Sequence, residues 1–347
     1  MKNILIIGQG VAGSHLAMQL HQEGCKITVV DNKSEMQSST LVSAGLYNPL
    51  VFRRILLSWR AKELIPLLEE VYPKIERLTN RKFFYPLESS KIIESDDELL
   101  LWDKKINEGD LSNFIDNKIS EIEINNENIS YNSVTIKHTG YVDTAQFLKA
   151  IREFIKTNHN YISEKFDFKK LIHTEKGVIY KDTTYDKVIF CEGYYVEQNP
   201  YFSFVPLKPV NGDILTLQFE NYNYPKIINK NFFLLPFHDG TYKLGSTYNW
   251  ENLTYEPNET AKQELLKRLK VYIKETPEVI NHNAGVRPSS KDRRPIIGQH
   301  KEYKNFYIFN GLGAKGIMIA PYCAKTLTNH ILYNEDILEE IDVKRFY

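Results

Sequence analysis

Ile4-Leu5-Ile6-Ile7-Gly8-Gln9-Gly10-Val11-Ala12-Gly13 stands near the start of the chain, and Lys26-Ile27-Thr28-Val29-Val30-Asp31 follows one helical interval later. Four apolar β-type residues in a row are what a strand buried on both faces of a parallel sheet requires. Leu16, Ala17 and Leu20 then recur at helical spacing as far as Gly24, which is placed to stop a helix. In this strand–turn–helix–strand unit Gly8 permits the tight turn, Gly10 lets backbone approach a pyrophosphate, and Gly13 lets the helix lie close to the sheet. The helix N-terminus offers N–H groups and a partial positive charge to phosphates. Asp31, about 20 residues beyond the glycines, can accept both hydroxyls of a ribose, which disfavours a 2′-phosphate and hence NADP. The motif predicts dinucleotide binding in an α/β fold and leaves NAD and FAD open.

The bulk composition sets the frame. With 347 residues, 42% hydrophobic and 25% charged, the chain reads as an ordinary globular protein of about two domains. Lys+Arg and Asp+Glu balance at 44 each, so no general attraction to nucleic acid or anionic lipid is expected. Cys25, Cys191 and Cys323 are scattered, without metal-ligand or disulfide spacing, as in a reducing compartment. No metal site is expected. The opening apolar run lasts four residues and breaks into glycines, so it is not expected to serve as a signal-peptide core. No stretch approaches the ~18 to 20 apolar residues of a membrane span, and a cytoplasmic location is expected.

Beyond Asp31 an NAD dehydrogenase would continue into another βα unit, whereas this chain continues with Ser38-Ser39-Thr40-Leu41-Val42-Ser43-Ala44-Gly45-Leu46-Tyr47-Asn48-Pro49. That small, polar segment resembles the loop beneath the flavin ring in the glycine oxidase/D-amino-acid oxidase family. Ala284-Gly285-Val286-Arg287-Pro288, with Asp292 and Pro295-Ile296-Ile297-Gly298 beyond it, resembles the same family's Gly-x-Arg-Pro signature. Phe306 to Phe309 reads as a strand, and Gly311-Leu312-Gly313-Ala314-Lys315-Gly316 opens a helix from Ile317 to about Leu332. In the family this turn faces the pyrimidine end of the flavin. Lys187 to Gly193 is similar to the element that returns the chain to the cofactor domain.

The resemblance implies an α/β fold in which a Rossmann-type FAD-binding domain (1–78, 140–198 and 285–347) interleaves with a mixed β-sheet substrate domain (79–139 and 199–284). Local patterns suit it: a long amphipathic helix over Leu56 to Leu78, and a helix through Ile155 capped by Asp143 or Thr144. Strands are expected over Ile214 to Phe219 and Phe232 to Phe237, and a surface turn over the Asn-rich Glu121 to Asn132. Lys208 to Asp213 reads as an architectural turn.

The resemblance further implies non-covalent FAD, held by Gly8, Gly10, Val11, Ala12 and Gly13, by Asp31 and Asn32, and by Ser39, Thr40, Ala44, Gly45 and Leu46. Cys191 and Gly193 are expected to contribute, as are Gly311, Gly313, Ala314, Lys315, Gly316 and Ile317. Flavin amine oxidation asks the protein mainly to orient the amine, favour its neutral form and exclude water. Arg287 matches the family's carboxylate-binding arginine, a role suited to guanidinium geometry, and is preferred for it over a structural bridge to Asp292. Lys243 resembles an oxygen-activating lysine of sarcosine-oxidase-like members, although a strand lysine is more often a solvated outer charge, the reading preferred here. Tyr248 would either hydrogen-bond the substrate or pack. Arg53 and Arg54 follow the flavin-proximal loop and could bind an anionic substrate, but arginines at the opening of a long helix are usually solvated; Cys323, His15 and His330 read as structural.

Two departures bear on the substrate. The Gly311 to Gly316 turn is closer to the Gly-Leu-Gly-Ser-Arg-Gly form found in the FAD domain of the tRNA wobble-uridine (methylaminomethyl-thiouridine) enzyme, and Leu46 to Pro49 matches neither group closely. The first expectation is a small-amine or amino-acid oxidase whose imine product hydrolyses, with oxygen reoxidising the flavin. The second is the same bond oxidised on a modified uridine in tRNA, whose usual methyltransferase partner domain is absent from this chain. The third is a non-catalytic flavin-binding protein.

Overall fold

A computed structural model describes residues 1–32, 38–124, 129–174 and 177–347. The Asn3–Ile7 strand lies between Lys26–Val30 and Lys187–Phe190, parallel to both, and Ile4, Leu5 and Ile6 are 0% exposed, the two-faced burial that an unbroken apolar run predicts. Each such side chain contributes about 1.5–3 kcal/mol on burial. The full sheet runs Asn160–Ile162, Lys26–Val30, Asn3–Ile7, Lys187–Phe190, Phe306–Asn310, Ile296–Gln299, with only the last strand antiparallel to its neighbour.

The first helix spans Val11–Gln22, and Gly24 follows it at φ 72° with its N–H bonded to the His21 carbonyl. Asp143 caps the Thr144–Asn158 helix by accepting from the Gln146 N–H. The long helix begins at Ala61, not at Leu56: Leu56–Leu57 pairs instead as a short strand with Leu50–Val51. That helix runs to Thr79 beside the last helix, Gly316–Tyr333, and the Tyr72 hydroxyl donates to the Ile317 carbonyl at 3.0 Å.

A second, eight-stranded sheet is mixed. Its order is Glu278–Arg287, Val210–Gln218, Tyr242–Gly245, Phe233–Pro236, Ile227–Asn229, Ser89–Ile93, Ser130–Ile136, Ser120–Glu123, and only the Ile227–Asn229/Ser89–Ile93 pair is parallel. Both ends of the expected Asn-rich turn are therefore strand; residues 125–128 within it lie outside the described residues. The polar Ser120–Glu123 strand is accommodated because it is the edge of the sheet, where one row of backbone groups faces water. Among the described residues no helix is long and apolar enough to cross a membrane, and no cluster of His, Cys, Asp or Glu forms a metal site.

Between the C-terminal ends of the parallel strands and one face of the mixed sheet lies a cavity of about 1370 Å³. That exceeds the roughly 300–1,000 Å³ of ordinary small-ligand sites and leaves room for a dinucleotide together with a small substrate.

Candidate functional site

The nucleotide end is built from backbone. A Cβ on Gly13 would sit 2.0 Å from the Gly8 carbonyl oxygen, so only glycine lets the helix lie this close to the strand. Gly8 itself adopts φ 95°, and a Cβ there would meet the Cys191 carbonyl at 2.5 Å. The helix starts at Gly10 with no side-chain cap, and the Val11 N–H donates to Thr40 Oγ1 at 3.1 Å. The Gly316–Tyr333 helix also begins without a side-chain cap, with Gly316 against Val11, so two helix N-termini converge on one cavity wall. Two positive dipole ends there suit a diphosphate. Asp31 ends its strand facing the cavity. Its Oδ1 accepts from the Gln9 N–H at 2.8 Å and its Oδ2 from the Tyr161 hydroxyl at 3.2 Å, while Arg152 Nη2 lies 3.9 Å away. The cradle of glycines, the two helix ends and the fixed carboxylate together fit a flavin dinucleotide.

Of the expected cofactor residues, Gly8, Gly10, Val11, Ala12, Asp31, Asn32, Ser39, Thr40, Ala44, Gly45, Leu46, Cys191, Gly193, Gly313, Ala314, Lys315, Gly316 and Ile317 all line this cavity. Gly13 and Gly311 do not. Gly13 acts through packing, and Gly311 (φ 72°) turns the chain out of the Phe306–Asn310 strand. Cys191 is buried, and burial pushes its thiol well above the ordinary range.

The substrate end is assembled from the mixed sheet. Arg287 closes the Glu278–Arg287 strand and lies across Gly212 of the neighbouring strand, where a Cβ would come 2.3 Å from its Nη2. Its Nη1 donates to the Asn211 and Thr247 carbonyls, both at 3.4 Å, too long for strong bonds. Nη2 and Nε have no hydrogen-bond partner among the described residues, and no carboxylate of those residues lies within 4.0 Å of the guanidinium. The alternative bridge to Asp292 is not made; Asp292 pairs with Arg345 at 2.9 Å. Burial lowers the Arg287 pKa, with Tyr248 and Asp213 opposing the shift. Tyr248 lines the cavity with its ring centroid 4.9 Å from the Arg287 guanidinium carbon, and it stacks at 6.2 Å on Trp250; each aromatic is 57% exposed. Ile214 and Phe233 supply apolar wall nearby.

Lys243 does not line the cavity, and neither sequence expectation describes it. Its ammonium donates to Thr216 Oγ1 at 2.8 Å and stands 5.1 Å from the Phe237 ring centroid, partly buried, with its pKa lowered by that burial. A buried ammonium does stand on the cavity wall, that of Lys315. Although the residue as a whole is only half-buried, its ammonium reaches inward and donates to the Asn48 carbonyl, Asn48 Oδ1 and the Leu50 carbonyl at 3.0–3.1 Å. Burial, with no carboxylate partner among the described residues, pushes its pKa down to about 7.

Sequence reasoning missed Glu192 and Tyr255 among the lining groups. Burial pushes the Glu192 carboxyl up to about 8, opposed by a 2.6 Å hydrogen bond from Asn199 Nδ2. Tyr255, pushed up to about 12 by burial, faces Tyr195 in a stack at 6.4 Å. Arg53 and Arg54 do not open the long helix. They occupy a separate 3₁₀ turn, Phe52–Arg54, and stand exposed at the cavity. Glu192 carried one signal, its place between the end of a parallel strand and Gly193; Tyr255 is brought in by tertiary packing alone.

The family model described as FAD dependent oxidoreductase matches residues 3–330. The tRNA 5-methylaminomethyl-2-thiouridine biosynthesis bifunctional protein of Acinetobacter baylyi is 21% identical over 99% of this chain, which spans only 56% of that protein's length. Glycine oxidase of Pseudomonas aeruginosa is 20% identical, with 97% of each chain covered. Among solved structures, iminodiacetate oxidase from Chelativorans sp. BNC1 superposes with a TM-score of 0.82 at 16% identity over 97% of both chains, a likeness of fold.

Proposed function

We propose that this chain, which belongs to the FAD dependent oxidoreductase family and is an FAD-dependent oxidoreductase, oxidises the C–N bond of a small amine that carries a carboxylate. The observation that carries this reading is Arg287, a guanidinium on the cavity wall with two unbonded nitrogens and no carboxylate partner among the described residues. Such a group is costly to leave unpaired, and a substrate carboxylate satisfies it with charge-assisted bonds of about 1.5–3 kcal/mol each. FAD, when bound, supplies the hydride acceptor for the carbon bearing the nitrogen. Arg287 fixes one end of the substrate, and the Tyr248 ring covers the guanidinium from the solvent side. Ile214 and Phe233 present apolar surface that limits water around the amine and favours its neutral form. The substrate loses a hydride from carbon and a proton from nitrogen, and the resulting imine is hydrolysed by water.

A second reading, the same bond oxidised on a modified uridine of tRNA, draws on the cavity mouth. Arg53, Arg54 and Arg293 are exposed there without ion pairs among the described residues, and the exposed Tyr248–Trp250 pair is a surface on which a base can stack. The test is anaerobic flavin bleaching with glycine, sarcosine, D-amino acids, proline, iminodiacetate and hypomodified tRNA. Bleaching by a small amino acid is expected. Bleaching by tRNA alone selects the second reading, and bleaching by none of them rejects both.

A further inference from the structure

The residues that hold Arg287 in its open state are not themselves on the cavity wall. Segment 246–258 carries Tyr248, which covers the guanidinium, and Tyr255, which lines the cavity farther along. It has no sheet of its own and is gripped by two buried side chains of the Val210–Gln218 strand. Asn211 pairs backbone to backbone with Asn249 at 2.8 and 3.0 Å, and its side-chain amide donates to the Thr254 carbonyl. Asp213, 2% exposed, holds both ends of the segment: Oδ2 accepts from the Thr247 hydroxyl at 3.0 Å, and Oδ1 accepts from the Asn258 N–H at 3.0 Å. The same Thr247 hydroxyl accepts from the Asp213 N–H at 2.9 Å, and His282 Nε2 lies 2.8 Å from Oδ1.

The connection to the site is one residue long. Thr247, whose hydroxyl is locked from two directions by Asp213, presents its carbonyl to Arg287 Nη1. The opposite contact of that nitrogen, the Asn211 carbonyl, belongs to the same strand as Asp213. Both carbonyls therefore move with the position of Asp213. A buried carboxylate with three polar neighbours and no place on the cavity wall is an expensive device for tying down a loop, and it acts on the guanidinium without touching a ligand.

We propose that Asp213 is a positioning residue for Arg287: by fixing Thr247 and Asn258 it sets segment 246–258 so that only Nη1 is engaged by protein and the remaining N–H groups stay directed at a carboxylate ligand. The inference rests on the reading of Arg287 as a carboxylate site. Loss of the Asp213–Thr247 contact lets the Thr247 carbonyl and the Tyr248 ring shift over the guanidinium, which weakens carboxylate binding while leaving the distant nucleotide end intact.

The experiment titrates acetate into the FAD-loaded protein and follows the perturbation of the flavin's visible spectrum, with FAD affinity measured in parallel. Asp213→Asn and Thr247→Val are each expected to weaken acetate binding about tenfold with FAD affinity unchanged, and Thr247→Ser, which keeps the hydroxyl, to bind as the parent does. Because the two residues act through one contact, the double variant is expected near the same tenfold rather than at the roughly hundredfold of independent effects. Unchanged acetate binding in both single variants overturns the proposal, as does additivity in the double variant or a parallel loss of FAD affinity. Arg287→Met separates the two claims. If it leaves acetate binding intact, or if the parent binds no acetate, the carboxylate reading itself fails; if it abolishes binding while Asp213→Asn and Thr247→Val do not weaken it, the positioning role alone fails.

Discussion

The two ends of the cavity are built by opposite means. The nucleotide end rests chiefly on one continuous stretch of chain, residues 4–31, joined by the N-terminus of the Gly316–Tyr333 helix, and in it glycines shape the backbone and backbone amides face the ligand. The substrate end is a convergence of side chains from Ile214, Phe233, Tyr248 and Arg287, brought together by strand pairing and by one irregular segment. A backbone site binds what every dinucleotide shares; a side-chain site can be altered one residue at a time. Membership of the FAD dependent oxidoreductase family therefore speaks to the nucleotide end, and the substrate end is left to experiment.

The largest expected effect breaks one end while sparing the other. Arg287→Met should lower kcat/KM for a carboxylate-bearing amine by about 100-fold or more, from the loss of at least one strong bidentate contact, with FAD still bound. Gly13→Ala should do the reverse. Its Cβ would stand 2.0 Å from a carbonyl oxygen, so the helix must move, at a cost of about 1–3 kcal/mol. Weakened FAD retention, read by fluorescence of released flavin, is the measurement. Equal loss of cofactor and substrate in both variants would mean that the two ends are a single unit.

Lys315 bridges the two ends, since its ammonium ties the Gly311–Gly316 turn to Asn48 and Leu50, and its effect is smaller. Its folded pKa, about 7, lies below the ordinary lysine value, so the unfolded chain binds more protons between pH 7 and about 10.4. The cost of the buried charge is full below pH 7 and is relieved as pH rises through that window. Denaturant titration of the apoprotein should therefore show the stability gap between Lys315→Met and the parent narrowing by about 1 kcal/mol from pH 7 to pH 8. A gap that stays constant would place the ammonium in water.

How much of this was legible in the sequence follows the same division. The strand, turn, helix and carboxylate of residues 4–31 encode their structure locally, through periodicity and glycine, and the structure places them as read. The helix start at Ala61 was misread because Leu56 and Leu57 suit a helix and a short strand equally, and only pairing with Leu50–Val51 decides. Arg287 was found through a family signature, and nothing local in Lys243 distinguishes a residue facing the cavity from one that turns to Thr216. Asp213 and Glu192 were invisible as site-forming residues, because their partners Thr247, Asn258 and Asn199 are chosen by the folded chain.

The smallest effect concerns Tyr248 and decides how the substrate end uses its aromatic. The ring stacks on Trp250 and lies over the Arg287 guanidinium, while no hydrogen bond is made by its hydroxyl among the described residues. If the ring is what matters, Tyr248→Phe keeps both contacts and should change substrate affinity by less than about 0.5 kcal/mol. Tyr248→Ala removes the cation–π contact and should cost about 0.5–1 kcal/mol, the range for an exposed pair, seen mainly as a raised KM. The opposite order of effects, with Phe as damaging as Ala, would assign the hydroxyl to the substrate. Tyr248 would then join Arg287 as a polar anchor, and the substrate would have to carry a second hydrogen-bonding group within reach of the exposed rim.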